Sequence, residues 1–328
     1  MDKKPLIIAE LETLRKLAAT ETAGTFKVRS YATAIKALQA LPHPITAPED
    51  LPAPTAGDGL GAKIREKINT ILTTGSLSIT AEARARATAL SAFQQIYGVG
   101  PKKAEQLVAA GYTTIPQLRA AAATTPELLN RNQHTGLRYY EALLERIPRT
   151  EMDRHAALLL SHKPAALEGV IVGSYRRGRP DSGDIDMLLR VPNPTDDAPA
   201  ALAAYVTSLR EAGYIREVLA QGDHKCLAIA ALPGASETAT PRRLDLLVTP
   251  PAEFPFAVFY FTGSDTFNVA VRSHALSRGF TLNEHALTTL RTGRPVTGIK
   301  TERDIFTALR IAWREPHERT GPEALVIL

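Results

Sequence analysis

A chain of 328 residues has room for two or three small domains, and its composition, 44% hydrophobic and 22% charged, is ordinary for a soluble globular protein. The net charge of +5 mildly favours a polyanionic partner, and the single cysteine, Cys226, excludes an intramolecular disulfide and fits a reducing compartment. No apolar run is long enough to span a membrane, and the N-terminus reads as the start of a helix rather than a secretory signal.

The first half of the chain predicts helices that are interrupted by two similar glycine turns. Helical spacing covers residues 7–17, 30–41, 81–96, 115–122 and 128–146. The turns are Gly59-Leu-Gly61 and Gly98-Val-Gly100, and each opens a helix. Such a turn leaves backbone N–H groups pointing outward, where a DNA phosphate can bind. One copy alone also fits an ordinary helix start, but the repeat predicts two helix-hairpin-helix elements that bind DNA backbone without reading its sequence.

The stretch with the clearest chemistry is residues 173–189, GSYRRGRPDSGDIDMLL, which lies between two apolar runs that predict buried strands. Side chains alternate along a strand, so Asp184 and Asp186 project from the same face. Two carboxylates this close repel each other unless a divalent cation lies between them, and Mg²⁺ is commonly held by a few carboxylates and substrate phosphates. The preceding Gly173-Ser174 and the two arginines at 176 and 177 offer N–H groups, a hydroxyl and guanidinium groups that suit a triphosphate.

A third acid, Asp245, lies in the apolar segment 242–248, which predicts a strand beside the first pair. Three carboxylates on adjacent strands can hold two metal ions, one activating an attacking hydroxyl and one holding the leaving phosphate. The alternative is that the acids end strands and the arginines form a solvated face, which leaves the Gly-Ser pair unexplained. Residues 200–212 predict a helix, and 215–219 and 225–232 predict the remaining strands of the sheet.

The pattern G-S-Y-R-R-G-x4-G-D-I-D-M-L resembles the catalytic signature of nucleotidyltransferases and, closely, that of family X DNA polymerases, DNA polymerase beta among them. Residues 259–268, FYFTGSDTFN, resemble the segment under the incoming nucleotide in that polymerase. The resemblance covers nearly the whole chain and implies an α+β multidomain fold. Its parts would be a helical lyase-like domain with the first hairpin (1–80), a helical DNA-binding subdomain with the second (81–150), a catalytic palm with a mixed β-sheet (151–250) and a small α/β nucleotide-selection subdomain (251–328).

The resemblance also implies roles for individual residues. Asp184, Asp186 and Asp245 would bind two Mg²⁺ ions, for which Mn²⁺ can substitute, and would catalyse nucleotidyl transfer. The nucleotide-binding residues would be Arg146, Gly173, Ser174, Arg177, Ser182, Gly183, Tyr260, Phe261, Gly263, Asp265 and Asn268. The DNA-binding residues would be Lys27, Tyr31, Gly59, Gly61, Lys63, Gly98, Gly100, Lys225, Arg243, Arg272 and Glu284. A monovalent cation, Na⁺ or K⁺, would be held at the hairpin turns by Thr55, Gly57 and Leu60 and by Gln94, Ile96 and Val99.

A second activity is implied by Lys67, which matches the Schiff-base lysine of the family's lyase domain. Lys63 lies one helical turn away, and a neighbouring cation favours the neutral amine that attacks an aldehyde. Without the resemblance, the two would be solvated lysines on a helix surface. Phe26 replaces a histidine of the family pattern, and Thr55 and Ile79 replace lysines. We therefore expect 5′-deoxyribose phosphate lyase activity that is slower than in a lysine-lined pocket, with Arg65 compensating in part.

The sequence thus predicts a template-directed DNA polymerase that fills short gaps in base-excision repair. The connection at 220–224 is short, whereas template-independent relatives carry a long loop there. The expected partners of a monomeric enzyme are gapped or nicked DNA, dNTPs and other base-excision repair proteins, in the nucleus or another DNA-containing compartment. Two alternatives stay open: a nucleotidyltransferase acting on RNA or a small molecule, which needs no duplex-binding hairpins, and a DNA-binding repair scaffold, which would lack one of the acids.

Overall fold

The computed structural model describes residues 2–19, 24–55, 58–193, 195–234 and 240–328. The chain divides into two compact units, Met1–Tyr140 and Glu141–Leu328. In its described residues the first unit is helical, and the second is built on a mixed β-sheet. The α+β multidomain fold expected from the sequence is therefore confirmed, while the finer four-part division stays a prediction.

The first unit consists of helices joined by short turns. They are α1 (Lys4–Ala19), α2 (Thr25–Ala40), α3 (Ala62–Thr74), α4 (Ala81–Gln94), α5 (Pro101–Ala109), α6 (Ile115–Thr124) and α7 (Arg131–Arg138), with α8 (Tyr140–Leu144) at the boundary and 3₁₀ turns at Pro48–Asp50 and Pro126–Leu128. Their apolar faces form two cores: Ile7, Leu38 and Ile68 lie in the core of α1–α3, and Phe93 and Leu118 in that of α4–α7.

The single helix predicted over residues 128–146 is wrong. The side chain of Asn130 accepts a hydrogen bond from the N–H of Gln133, and the Gln133 side chain accepts one from the N–H of Asn130, so the two form a capping box that starts α7 at Arg131. The α7 helix ends at Arg138, and residues 147 and 148 then form a strand. The reason is local, because reciprocal capping begins a helix at a set residue whatever the apolar spacing around it.

The second unit begins with strand β1 (Ile147–Pro148) and helix α9 (Arg149–His162), followed by the palm-like sheet. Its elements are β2 (Glu168–Ile171), α10 (Gly173–Arg176), β3 (Asp181–Ser182), β4 (Ile185–Arg190), α11 (Ala198–Glu211), β5 (Ile215–Gln221), β6 (Lys225–Ala230) and β7 (Arg242–Thr249). The five-stranded sheet has the order β2-β4-β7-β6-β5, with β4 and β7 parallel and the other pairs antiparallel. The separate pair β1–β3 is antiparallel.

The two faces of this sheet have different neighbours, and the alternation of side chains along β4 decides which residue meets which. Ile185, Met187 and Leu189 lie in the main core, which α9 and α11 complete. Leu188 points to the other face and packs with Ala257 of the next helix, α12 (Phe254–Thr262). Asp186 has the same parity as Leu188, so its carboxyl group belongs to the face that α12 partly covers.

The rest of the second unit forms a small α/β layer. It contains α13 (Asp265–Ser277), β8 (Phe280–Leu282), β9 (Leu287–Thr289), α14 (Glu302–Leu309) and 3₁₀ turns at Pro316–Glu318 and Pro322–Ala324. Phe259, Phe267 and Phe306 form its core, with Trp313 packed at the edge. Across the residues that the structure describes, no helix is both long and apolar enough to cross a membrane.

Candidate active site

The three acids singled out in the sequence lie together on neighbouring strands. Asp186 on β4 is paired directly with Asp245 on β7 in the parallel register. Asp184 lies just before β4 and two residues from Asp186, so the two carboxyl groups project from the same side. The structure therefore brings together the three carboxylates that the sequence predicted, at one edge of the sheet.

The three carboxylates are close together and two of them are buried, so their negative charges favour binding of a cation. Burial, together with the charges of Asp184 and Asp245, raises the pKa of Asp186 to about 7. Burial also raises the pKa of Asp245, against the opposing effect of nearby Arg243. Asp245 Oδ1 is buried and accepts no hydrogen bond, although Arg243 Nε lies 3.3 Å away. Carboxylate oxygens are ligands that Mg²⁺ prefers, and a divalent ion would compensate the negative charge of these buried acids.

Arg243, one of the predicted DNA-binding residues, lies among the acids. Its guanidinium contacts the Asp184 carboxylate and lies beside Asp245, and its contact with DNA stays a prediction. Among the described residues, no three histidine, cysteine, aspartate or glutamate side chains are arranged to hold a metal as they stand. Because Arg243 is the partner of Asp184 in this structure, we expect a cation bound to all three acids to compete with it for that carboxylate.

The turn after β2 forms a cradle against the acids. Gly173 has a φ of +63°, and a Cβ at this position would lie 2.8 Å from Asp186 Oδ2, so no other residue fits without a shift. Its neighbour Ser174 donates a hydrogen bond to Ser182 Oγ at 2.9 Å. Gly183 is equally close to another predicted group, since its Cβ would lie 2.9 Å from Arg146 Nη1. These predicted nucleotide-binding residues therefore meet at one place.

Arg146 reaches this cradle because β1 pairs with β3, which places it beside Asp181. Arg146 Nη2 and Nε donate to Asp181 Oδ1 at 2.6 and 3.0 Å. Both side chains are about half exposed, so this pair contributes little to stability. It does orient the guanidinium toward the Gly183 turn.

The segment joining α12 to α13 packs against Arg177 and borders the candidate nucleotide site. Arg177 Nη1 donates to the Thr262 carbonyl at 2.6 Å, and a Cβ on Gly263 would lie 3.0 Å from the same nitrogen. Burial lowers the pKa of Arg177, a sign that its charge is poorly hydrated. The rings of Tyr260 and Phe261 lie edge to face with their centroids 5.3 Å apart. Both residues directly precede Thr262, whose carbonyl accepts from Arg177.

Asp265 and Asn268 lie on α13 in different environments. Asp265 is exposed at the first turn of the helix. Asn268 is buried, and its Nδ2 donates to the Tyr260 carbonyl at 2.7 Å, while its Oδ1 is buried without a hydrogen bond. An unpaired buried amide oxygen is costly, so this residue has one unsatisfied acceptor that a ligand can use.

The predicted DNA contacts of the second unit are spread over three elements. Lys225 is exposed at the start of β6, opposite Leu247 of β7. Arg272 is exposed on α13, and Glu284 lies in the β8–β9 turn with Oε1 3.9 Å from His285 Nε2. Their contact with DNA stays a prediction.

The two glycine turns of the first unit adopt similar conformations. Gly59 has a φ of +76° and Gly98 a φ of +81°, and Gly61 and Gly100 are the N-cap residues of α3 and α5. A close approach supports the second turn, because a Cβ on Gly136 of α7 would lie 2.4 Å from the Tyr97 carbonyl oxygen. The internal repeat read from the sequence is thus also a structural repeat.

The carbonyl groups predicted to hold a monovalent cation are only partly described. In the second turn, the Ile96 carbonyl accepts the N–H of Val99 at 3.0 Å, and Gln94 ends α4. In the first turn, the Thr55 carbonyl accepts the N–H of Asp58 at 3.3 Å, and Leu60 is buried. Gly57 lies outside the described residues.

The predicted lyase residues lie on α2 and α3, which share one core. Lys27 and Tyr31 are on α2, and Lys63 and Lys67 are on α3, with Lys67 half-buried and Lys63 exposed. Phe26, the residue in place of the family's histidine, is 80% exposed.

Arg65 was expected to compensate for lost lysines, but it has a partner of its own. Its Nη2 donates to Asp58 Oδ2 at 2.6 Å, and both side chains are largely buried. Its charge is therefore already neutralised locally.

Sequence reasoning missed two buried ion networks. Glu302 of α14 accepts Arg176 Nη2 and Arg319 Nη1, both at 2.6 Å. Beneath β7, Glu151 of α9 accepts Arg242 Nε at 2.7 Å and Nη2 at 2.9 Å, next to the arginine that contacts the acids. No local pattern marks these residues, because each partner is distant in sequence.

The Glu151 network extends into the core through His155. Its Nδ1 lies 2.8 Å from the Tyr214 hydroxyl, and burial lowers the pKa of His155 to about 4. The imidazole is therefore neutral at pH 7 and has a packing role rather than an acid–base one.

Comparison with known protein families agrees with this architecture over most of the chain. Four family models match: a helix-hairpin-helix domain over 2–77, the fingers domain of DNA polymerase lambda over 91–144, the DNA polymerase beta palm over 146–251 and the DNA polymerase beta thumb over 257–320. The fold and the three-acid edge thus define a polymerase-type palm and thumb joined to helix-hairpin-helix domains.

Two curated relatives extend the likeness along the chain. DNA polymerase lambda of Rattus norvegicus is 30% identical over 95% of this chain and 56% of its own length. DNA polymerase lambda of Arabidopsis thaliana is 30% identical over 80% of this chain and 52% of its own length. This chain spans about half the length of these relatives. It belongs to the family X DNA polymerases, as its motifs indicated; the family uses divalent metal ions, and its polymerase and hairpin domains imply DNA binding.

Proposed function

We propose that this chain is a template-directed DNA polymerase that fills short gaps in DNA repair by two-metal nucleotidyl transfer. The observation that carries the proposal is the pairing of Asp186 with Asp245 across parallel strands, with Asp184 on the same side. All three acids expected of an active palm are present, which argues against a scaffold with a dead palm. The two glycine turns of the first unit favour a duplex substrate over RNA or a small molecule.

In this proposal, Asp184 and Asp186 hold two Mg²⁺ ions, or Mn²⁺ in their place, and Asp245 holds one. When bound, the ions supply an activated primer 3′-hydroxyl and a stabilised leaving phosphate. The chain's own residues orient the groups that react. Asp245 would also hold the primer hydroxyl in line or accept its proton, since a carboxylate beside the reacting oxygen can take either role.

The incoming dNTP is proposed to lie between the Gly173 cradle and the α12–α13 segment. Ser174, Arg177 and Gly183 would bind its phosphates through a hydroxyl, a guanidinium and backbone N–H groups. The sugar would lie against Tyr260 and Phe261. The remaining residues of this proposed site are Arg146, Ser182, Gly263, Asp265 and Asn268.

The first unit is proposed to bind the two sides of a DNA gap through its glycine turns, with a Na⁺ or K⁺ ion at their carbonyl groups. Lys67 would form the Schiff base in a lyase reaction, assisted by Lys63, Lys27 and Tyr31. Lys225, Arg243, Arg272 and Glu284 would contact DNA from the second unit. We assign 1–80 to the lyase part, 81–150 to the second DNA-binding part, 151–250 to the palm and 251–328 to nucleotide selection.

The proposed setting follows from the chemistry. The family and its repair relatives indicate a DNA-containing compartment, and we propose the nucleus or another intracellular one. The proposed partners are gapped or nicked DNA, dNTPs and other base-excision repair proteins, acting with a monomeric chain.

The decisive experiment is primer extension on gapped DNA with Asp245→Ala. We expect nucleotide addition to fall by more than about a hundredfold with either Mg²⁺ or Mn²⁺, while affinity for the gapped DNA stays nearly unchanged, since the acid serves the metal and not the duplex. The matched control is Asp223→Ala, which removes an exposed aspartate from the β5–β6 turn of the same unit. Extension by Asp245→Ala within a few-fold of the control would show the three-acid site to be wrong.

A further inference from the structure

Helix α7 supports the second glycine turn through one buried side chain, that of Gln133. Gln133 is 7% exposed, and its Nε2 donates a hydrogen bond to the Gly98 carbonyl at 2.9 Å. It also packs against the turn, since a Cβ added to Gly98 would lie 3.4 Å from Gln133 Cγ. Gly98 has a φ of +81° and lies outside the helices and strands, so this hydrogen bond fixes the direction of its carbonyl group.

The amide group of Gln133 is oriented by a second hydrogen bond at its other end. Its Oε1 accepts the N–H of Asn130 at 3.0 Å, which is one half of the capping box that begins α7. An amide whose oxygen accepts from one residue and whose nitrogen donates to another has a single orientation. The start of α7 therefore directs the Nε2 donor at Gly98.

The free backbone donors of the second turn lie directly beyond this carbonyl. The N–H of Lys102 is four residues past Gly98, the spacing of an α-helical hydrogen bond. Here the carbonyl accepts from Gln133, and within the described ranges the N–H groups of Gly100, Lys102 and Lys103 have no acceptor. They are the unpaired donors at the start of α5, where a phosphate can bind.

The first glycine turn is supported in a different way. Asp58 belongs to that turn, accepts the N–H of Leu60 at 2.7 Å and pairs with Arg65 at 2.6 Å. Its support is thus an ion pair within the local segment, whereas Gln133 comes from a helix 35 positions beyond its turn. The amino acids of the two turns repeat but their supports do not, so a change at Gln133 should weaken the second turn and spare the first.

We propose that Gln133 is a positioning residue for DNA binding by the turn Gly98-Val-Gly100. Its amide donor holds the Gly98 carbonyl against α7, and this keeps the free N–H groups at the start of α5 directed at a DNA phosphate. Gln133 itself is buried and acts without touching DNA. The inference rests on one part of the proposed function, duplex binding by the second glycine turn, and is independent of the polymerase chemistry.

The test is a fluorescence anisotropy titration of the full chain with a labelled gapped duplex at fixed ionic strength. Gln133→Glu keeps the oxygen that accepts from Asn130 but removes the donor to Gly98. We expect the Kd to rise about fivefold, because the turn loses the hydrogen bond that orients it. A salt titration should also show the slope of log Kd against log salt falling by about 1, since one phosphate contact is lost.

The matched control is Gln117→Glu, the same substitution at the third residue of α6, as Gln133 is the third residue of α7. Gln117 is exposed, and its Oε1 accepts the N–H of Thr113 at 3.0 Å, a role that glutamate retains. It adds the same negative charge to the same unit and should change the Kd less than about twofold.

A second pair of variants repeats the test without burying a charge. Gln133→Met has a similar length but no donor, whereas Asn130→Ala removes the other hydrogen bond of the same capping box and leaves the donor to Gly98 in place. Both lose half of the cap, so melting followed by circular dichroism should show similar losses of stability. Only Gln133→Met should weaken DNA binding and lower the salt slope.

The outcomes separate this inference from the function on which it rests. A Gln133 variant that binds gapped DNA as tightly as its control, in either pair, would overturn the proposal and leave duplex binding standing. Affinity that follows the melting temperature across all four variants would also overturn it, because Gln133 would then be a structural residue only. No binding of gapped DNA by the unchanged chain would refute the proposed duplex binding together with this inference.

Discussion

Replacing Glu302 by glutamine tests whether the burial of its ion network with Arg176 and Arg319 determines how much that network contributes to the stability of the second unit. The Glu302 side chain is 9% exposed, and its two oxygens accept from Arg176 and Arg319, which is fully buried. Glutamine keeps the shape and one acceptor but removes the charge, so two guanidinium groups lose the carboxylate they share. The network joins α10, beside the acids, to α14 and the turn that follows it.

Breaking a buried pair by removing one partner costs about 3–5 kcal/mol, because an uncompensated buried charge remains. A unit with the size of Glu141–Leu328 shifts its Tm by about 2–4 °C for each kcal/mol, so we expect Glu302→Gln to lower the Tm by roughly 6–20 °C. The matched control is Glu168→Gln. Glu168 accepts from both Nε and Nη2 of Arg190 across β2 and β4, at 2.9 and 2.6 Å, but its side chain is 52% exposed. The control should cost less than about 1 kcal/mol.

The assay is thermal and urea unfolding followed by tryptophan fluorescence. Trp313 is the single tryptophan of the chain and packs 4.8 Å from the Phe306 ring, so its emission reports the second unit. The difference in unfolding free energy between Glu302→Gln and Glu168→Gln reports burial together with the second arginine that Glu302 binds, since the residue type and the substitution are the same. If the two variants differ by less than about 1 kcal/mol, the reasoning from burial is refuted.

Three further predictions concern the lyase lysine, the buried acid Asp186 and the glycine turn at Gly173. Lys67→Ala should abolish borohydride-trappable adducts with a 5′-deoxyribose phosphate end while gap filling continues; trapping at full yield would move the nucleophile to Lys63. Because the pKa of Asp186 is raised to about 7, the stability of the metal-free second unit should fall as pH rises from about 4 to about 7, and Mg²⁺ should raise its Tm more at pH 8 than at pH 5, where a proton competes for the carboxylate. Equal Mg²⁺ shifts at both pH values, measured by calorimetry, would contradict this. Gly173→Ala should reduce primer extension far more than Gly222→Ala, since a Cβ at the first position meets Asp186 and one at the second meets nothing within 4 Å; similar activity of the two variants would argue against the cradle.

The strands and the acid pair could be predicted from the sequence because their signals are local. Alternation of apolar residues around Asp184 and Asp186 indicated a strand and assigned both carboxyl groups to one face. The repeated glycine turns indicated two hairpins, since a positive φ at Gly59 and Gly98 is a property of a few neighbouring residues. The expected pairing of the Asp245 strand with the first also needed only apolar runs of matching length.

Other features were decided by tertiary structure alone. The register of β4 against β7 places Arg243 on Asp184 and Asp245, and a shift of one residue would point it to the other face. Glu302 meets Arg176 across 126 positions, a distance over which no periodicity operates. Local patterns reveal the elements of this protein because backbone propensity acts over a few residues. Its ion networks appear only when distant segments pack, because a buried charge takes as its partner whichever group the fold brings within reach.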